Sequence, residues 1–167
     1  RAGLEWSKGR WRGPSGRVWE LASGEVLREF PGGHVTGAFS PRDAALVVGD
    51  GDRFTCYDTE TWSERWSCSR QWLDALSGVV GFSPDGSYVV LGHSRHTVRL
   101  VDATTGEELA TLAGPDMLEL NDATVSPDGS VLLLTTVDRA VERWDLLELR
   151  EKLRDVGPGL DRWEKPR

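Results

Sequence analysis

In 167 residues the sequence holds two cysteines, Cys56 and Cys68, three histidines and a single methionine. Two thiols are too few for a disulfide framework or a structural zinc site, and they leave the redox compartment open. No window approaches the ~20 consecutive apolar residues of a membrane span, and the start lacks the charged-then-apolar pattern of a signal peptide. The chain therefore reads as soluble and cytoplasmic, with no membrane partner. An excess of positive charge is also missing. The 20 Lys and Arg are outnumbered by 27 Asp and Glu, a net charge of −7, which argues against a general phosphate-binding surface and so against nucleic acid as a partner. No initiator Met stands ahead of Arg1, and the sequence reads as a piece of something longer. What is present is a globular composition, 38% hydrophobic and 28% charged, in a length that suits about one domain.

The chain also repeats itself. Ser40-Pro41-Arg42-Asp43, Ser83-Pro84-Asp85-Gly86 and Ser126-Pro127-Asp128-Gly129 are spaced 43 residues apart. A second anchor follows each Ser by 18 or 19 residues: Tyr57-Asp58, Val101-Asp102 and Trp144-Asp145, with an orphan copy upstream at Trp19-Glu20. Runs such as Tyr88-Val89-Val90-Leu91 and Val131-Leu132-Leu133-Leu134 are strand material. Ser-Pro-Asp-Gly suits a type I turn between the first and second strands, because Pro presets φ, Ser and Asp bond nearby amides and Gly tolerates the exit. A second polar break leads into a third strand (Phe54 to Tyr57, Val98 to Val101, Val141 to Trp144). Asp102-Ala103-Thr104-Thr105-Gly106, like Glu20-Leu21-Ala22-Ser23-Gly24, turns into a fourth. Four antiparallel strands per 43 residues is the spacing of a β-propeller blade, ~40–45 residues. The fold class is all-β, about three and a half blades, an incomplete ring.

With Gly33-His34, the three Ser-Pro turns, the Trp144-Asp145 dipeptide and the fixed period, residues 17–145 resemble the WD-repeat β-propeller family. In that family a His, a Ser or Thr, a turn Asp and the Trp of the dipeptide form a hydrogen-bonded tetrad. The resemblance gives His34 the first role, Asp138 the turn role, and Trp19 and Trp144 the Trp role. No single unit holds all four, since Gly-His is absent before the later units and Tyr57 and Val101 replace the Trp. The repeats are degenerate.

After Trp144-Asp145 the pattern ends. Leu149 stands where the other turns have Gly24, Trp62 and Gly106. Leu146, Leu149, Leu153 and Val156, with Glu148 and Lys152 four apart, make a short C-terminal amphipathic helix over 146–157, stopped by Gly157-Pro158. Its apolar stripe is read as docking on its own propeller. Residues 158–167 form a tail, and residues 1–16 an irregular end or a worn strand. The fourth strand of the last unit is missing from its own place. Three and a half units fall short of the 4–8 blades of a ring. Either upstream blades of the same chain complete it, or the open edges associate with one another.

Chemistry is sparse. His93 and His96 lack the further ligands of a metal site, and Asp50, Asp52 and Asp58 lack the spacing of a calcium loop. No nucleophile elbow or phosphate-cradling loop is present. Cys56 and Cys68 read as free thiols on neighbouring strands. Trp62 and Trp66 are expected to share one face by strand alternation and, with Trp72, either to fill the gap between blades or to anchor a partner. No catalytic residue, cofactor or metal is expected. The function expected is a non-catalytic protein-interaction scaffold, in keeping with the family resemblance. Its contacts are placed on the loops between second and third strands and between units: Trp72, Arg95, His96, Asp116 and Arg139. The ending from Trp144 resembles those of large bacterial WD-repeat proteins, some carrying a Ser/Thr protein kinase domain, which implies a regulatory module. A quinone-cofactor dehydrogenase is the alternative, on the likeness of Val101–Glu107 to that group.

Overall fold

A computed structural model describes residues 5–7, 10–12, 14–31, 35–42, 44–71, 79–114, 116 and 119–154. The architecture is all-β, built of antiparallel sheets in chain order, with one helix. A hairpin of β1 (Glu5–Ser7) and β2 (Arg10–Arg12) comes first. Next is a two-stranded sheet of β3 (Pro14–Trp19) and β4 (Val26–Pro31). Two four-stranded meanders follow. The first is β5 (Thr36–Phe39), β6 (Ala45–Gly49), β7 (Arg53–Asp58) and β8 (Glu64–Ser69). The second is β9 (Val80–Phe82), β10 (Tyr88–Gly92), β11 (Thr97–Asp102) and β12 (Glu108–Ala113). The last sheet has β13 (Leu120–Val125), β14 (Val131–Thr136) and β15 (Val141–Asp145), and α1 (Leu146–Arg154) takes the place of a fourth strand. In the sheets, neighbours in sequence pair in order, β5-β6-β7-β8 and β9-β10-β11-β12. These are blades of four antiparallel strands. The first strands lie side by side, β9 packing next to both β5 and β13, as they do around a propeller axis.

The Ser-Pro turns close as their chemistry requires. Gly86 N–H donates to Ser83 O at 2.9 Å, and the Asp85 carboxylate accepts from the Ser83 hydroxyl at 2.7 Å and from Ser87 N–H at 3.1 Å. The turn at Ser126 repeats this with Asp128 and Ser130.

The core lies between sheets. β6 and β10 are buried at every position, because a blade with a neighbour on each side presents both faces of its second strand to protein. Val89, Leu91 and Val101 pack back onto Val47, Phe54, Cys56 and Trp66 of the preceding blade. Tyr88, Val90, Val98 and Leu100 pack forward onto Leu132, Leu134 and Leu146. A smaller cluster of Phe30, Leu46 and Val48 joins the β3-β4 sheet to the first four-stranded blade.

Several expectations shift. Glu5–Ser7 and Arg10–Arg12, in the segment where a worn strand or an irregular end stood open, pair antiparallel, Glu5 with Arg12 and Trp6 with Trp11. Helix α1 runs to Arg154, and Val156, Gly157 and Pro158 lie outside the described residues. Trp62 and Trp66 do not share a face. Trp62 precedes β8, in a turn, with φ +57°. It packs back toward Phe30, Leu46 and Val48, whereas Trp66 packs forward against the next blade. Strand alternation failed there because one of the two residues is not in a strand.

Candidate functional site

Antiparallel meanders put their connections at two ends. At one end lie the turns between second and third strands together with the links between sheets. At the other lie the Ser-Pro turns and the turns between third and fourth strands. The linking end is tied across blades by the backbone: Gln71 N–H donates to His93 O at 2.9 Å, Leu120 N–H to Arg95 O at 2.7 Å and Val137 N–H to Glu119 O at 2.9 Å. Arg95 also pairs with Glu119 at 3.5 Å. His93 Nε2 lies 2.9 Å from the Arg99 guanidinium. Burial, with Arg99 beside it, holds that imidazole below its ordinary value. His96, three residues on, is half-buried, and its backbone N–H donates to the Ser94 hydroxyl at 3.3 Å. Asp116 is exposed. Arg139 is exposed in a left-handed turn, φ +65°. The fold thus gathers Arg95, His96, Asp116 and Arg139 at one end of the blades. Trp72 lies outside the described residues.

The residues assigned tetrad roles are scattered. Trp19 ends β3 and is 52% exposed, Asp138 is exposed in the β14–β15 turn, and Trp144 is half-buried on β15 against the last core cluster. Among the described residues no hydrogen bond joins Asp138 to Trp144, and His34 lies outside them. Sequence-flagged acids serve turns: Asp50 Oδ1 accepts the N–H of Asp52 and of Arg53, both at 2.9 Å. Asp58 takes Arg65 at 2.6 Å, which holds its carboxyl well below the usual range. Among the described residues no three His, Cys, Asp or Glu side chains come together as a metal site. Both cysteines are free thiols; burial pushes Cys56 up to about 11 and raises Cys68 as well.

Among the described residues the opposite end carries three grooves, one at each junction from the β3-β4 sheet onward. At the third junction the space of 210 Å³ lies between the two Ser-Pro turns and is bordered by Asp85, Tyr88, Asp128 and Arg150. Hydrogen bonds from Ser126 and Ser130 bring Asp128 down to about 2. The Arg150 guanidinium sits 5.9 Å from the centre of the buried Tyr88 ring. At the second junction Arg42, Arg65, Phe82 and Asp85 border 230 Å³. At the first, 510 Å³ is lined by Trp19, Leu21, Leu27, Phe39 and Trp62, with Arg17 at its edge. This apolar groove was not anticipated. Aligning the turns after each third strand does not single it out, because Leu21 stands where the other units have Thr59, Ala103 and Leu146, and the last of these is buried.

No family model matches the sequence. The chain is 29% identical over 148 residues to the eukaryotic translation initiation factor 3 subunit I of Emericella nidulans, a match covering 75% of this chain and 42% of that protein. It thus spans less than half the length of that relative. Together with blades of four antiparallel strands at a 43-residue period, this similarity supports a WD-repeat β-propeller at the level of family and fold.

Proposed function

We propose that the chain is a non-catalytic protein-interaction scaffold. The observation that supports this best is the linking end of the blades, where separate turns are fixed to one another by backbone hydrogen bonds and present Arg95, His96, Asp116 and Arg139 together. Loops held by a rigid frame bind with little ordering entropy. The relative is by name a subunit of a larger factor, which accords with a role in assembly. The finer reading, a regulatory module of a bacterial Ser/Thr protein kinase, has only the resemblance of the ending after Trp144 behind it. The likeness of Val101–Glu107 to quinone-cofactor dehydrogenases weakens as an argument, because that segment is an Asp-capped turn of the same kind as the one at Asp58.

The test is chemical crosslinking of the full chain to the proteins it retains, for the native sequence and for a variant carrying Asp116→Lys and Arg139→Glu. Both residues are exposed and form no ion pair among the described residues, so the melting temperature should not move. Recovery of crosslinked partner should fall at least fivefold. Absence of any stoichiometric partner, or quinone absorbance in the purified protein, would overturn the scaffold reading.

A further inference from the structure

We infer that the His93 side chain is an acid-sensitive latch between the two four-stranded blades: uncharged, it holds their linking ends together, and on taking up a proton it is driven off Arg99 and lets them part. The inference does not rest on the scaffold reading, although the latch sits at the same end of the blades.

The geometry leaves the ring one state. His93 Nε2 lies 2.9 Å from an Arg99 guanidinium nitrogen. A guanidinium keeps its protons at any working pH and offers only donors. The imidazole nitrogen must therefore accept, and only a neutral imidazole has an acceptor. Its proton then sits on Nδ1, which is shut off from solvent. Two blades surround the ring. Arg99 on β11 and Glu108 on β12 act on it from its own blade, and the Ser69 backbone at the end of β8, with the Arg70 guanidinium, from the preceding one. The main chain makes the same tie. Gln71 N–H donates to His93 O at 2.9 Å, and His93 N–H to Thr97 O at 2.9 Å, so displacing the ring moves the turn that carries the carbonyl.

Charge sets the direction. Among the described residues Arg99 and Arg70 oppose a proton on the ring, whereas Glu108 and the Ser69 backbone favour one. Glu108 is already engaged, 3.2 Å from Arg99 Nε, and its side chain is 49% exposed, so water weakens its pull. On the turn itself Arg95 is paired with Glu119 at 3.5 Å, and His96 is half-buried. Burial, with two cations against one engaged anion, holds the imidazole below its ordinary value of 6.5. An opened junction returns the ring to water and to that value. Well above 6.5 neither form carries the proton and the latch is shut. As pH falls through 6.5 the opened form takes the proton first. Opening then grows by up to about tenfold per pH unit, until the closed form titrates too.

The experiment follows the full chain by nuclear magnetic resonance from about pH 7.5 to about pH 5, the span over which histidine changes charge. The Gln71 amide reports the tie between blades, and the His93 ring reports its own charge. Protection of the Gln71 amide, corrected for the intrinsic pH dependence of exchange, should fall about fivefold or more across the range. The His93 ring should titrate below 6.5. His93→Gln keeps a neutral acceptor for Arg99 and cannot titrate, so its Gln71 protection should stay level. The same variant identifies the His93 resonance among the three histidines. Arg99→Gln removes an opposing charge and leaves Glu108 in place, and should raise the His93 midpoint by about half a pH unit or more. His96→Gln should leave both responses as they are in the native chain. Level Gln71 protection in the native chain overturns the inference, as does an equal fall in His93→Gln. A response lost with His96→Gln gives the role to His96 and overturns it as well. So does a native His93 midpoint at or above 6.5, a result that needs no variant to fold. None of these readouts involves a partner, so the latch and the scaffold reading stand or fall separately.

Discussion

Trp66 and Gly106 depend on each other. Trp66 is buried, its Nε1–H donates to Ala103 O at 3.0 Å, and its indole lies over the turn that Gly106 closes. A Cβ on Gly106 would stand 2.7 Å from indole Cδ2, and the residue has φ +73°. Gly24 holds the same turn position at φ +72° with nothing within 4 Å of such a Cβ. The pair separates two costs. Gly24→Ala should lose only the left-handed penalty, ~1–2 kcal/mol. Gly106→Ala adds displacement of a buried aromatic and is expected to cost about 3 kcal/mol or more, since overpacking alone costs ~1–3. Urea unfolding of the two variants measures the difference, and equal losses would show that the indole gives way freely. The same position explains where the sequence misled. Trp62 occupies it at φ +57°, and a bulky residue in that region is uncommon. Alternation within a strand could not foresee that Trp62 would turn back toward Phe30 while Trp66 turned forward.

At the scale of elements, one device makes two structures. Asp102 Oδ1 accepts Thr104 N–H and Thr105 N–H, both at 2.8 Å. Asp145 Oδ1 accepts Leu147 N–H at 3.1 Å and Glu148 N–H at 3.0 Å. Each carboxylate caps a first turn by satisfying free N–H groups. The residue four places on selects strand or helix. Gly106 goes left-handed, donates to Asp102 O at 2.9 Å and releases the chain into β12. Leu149 stays right-handed, packs on the core, and α1 continues. The glycine and the leucine spacing were legible in the sequence, as was the order of the strands, whereas the capping by Asp102 and Asp145 emerged only with the structure. Less legible was what each turn touches, because contact across a junction depends on the packing of one sheet on the next, which neither the period of 43 nor the period of two encodes. Asp145→Ala should destabilise by ~0.5–2 kcal/mol and Asp145→Asn by much less. Leu146→Ala, at a site 0% exposed, should cost ~2–5 kcal/mol. Thermal melts followed at 222 nm will rank them, and an Asp145→Ala variant as stable as Asn would remove the cap from the account.

For the molecule as a whole, the repeat makes stability a chain of neighbouring junctions, and the junctions are unequal. At the first, among the described residues, Phe30, Leu46 and Val48 alone form the buried cluster, and β4 buries Phe30 alone. At the third, Tyr88, Val90, Val98, Leu100, Leu132 and Leu134 are each 1% exposed or less, and α1 adds Leu146. A sheet held by few apolar contacts opens locally before the rest. Backbone amides of β3 and β4 should therefore exchange with deuterium by local opening, at least ~100-fold faster than those of β10 and β11, the equivalent of a gap near 2.7 kcal/mol in opening free energy. Uniform protection across all sheets would mean that the blades open as one unit and would defeat the prediction. Leu134→Ala sharpens the test. It empties part of the third junction at a cost of ~2–5 kcal/mol, so protection should fall through β10, β11 and β14. In β3 and β4 exchange already runs through an opening that leaves the third junction intact, so their rates should stay as they were.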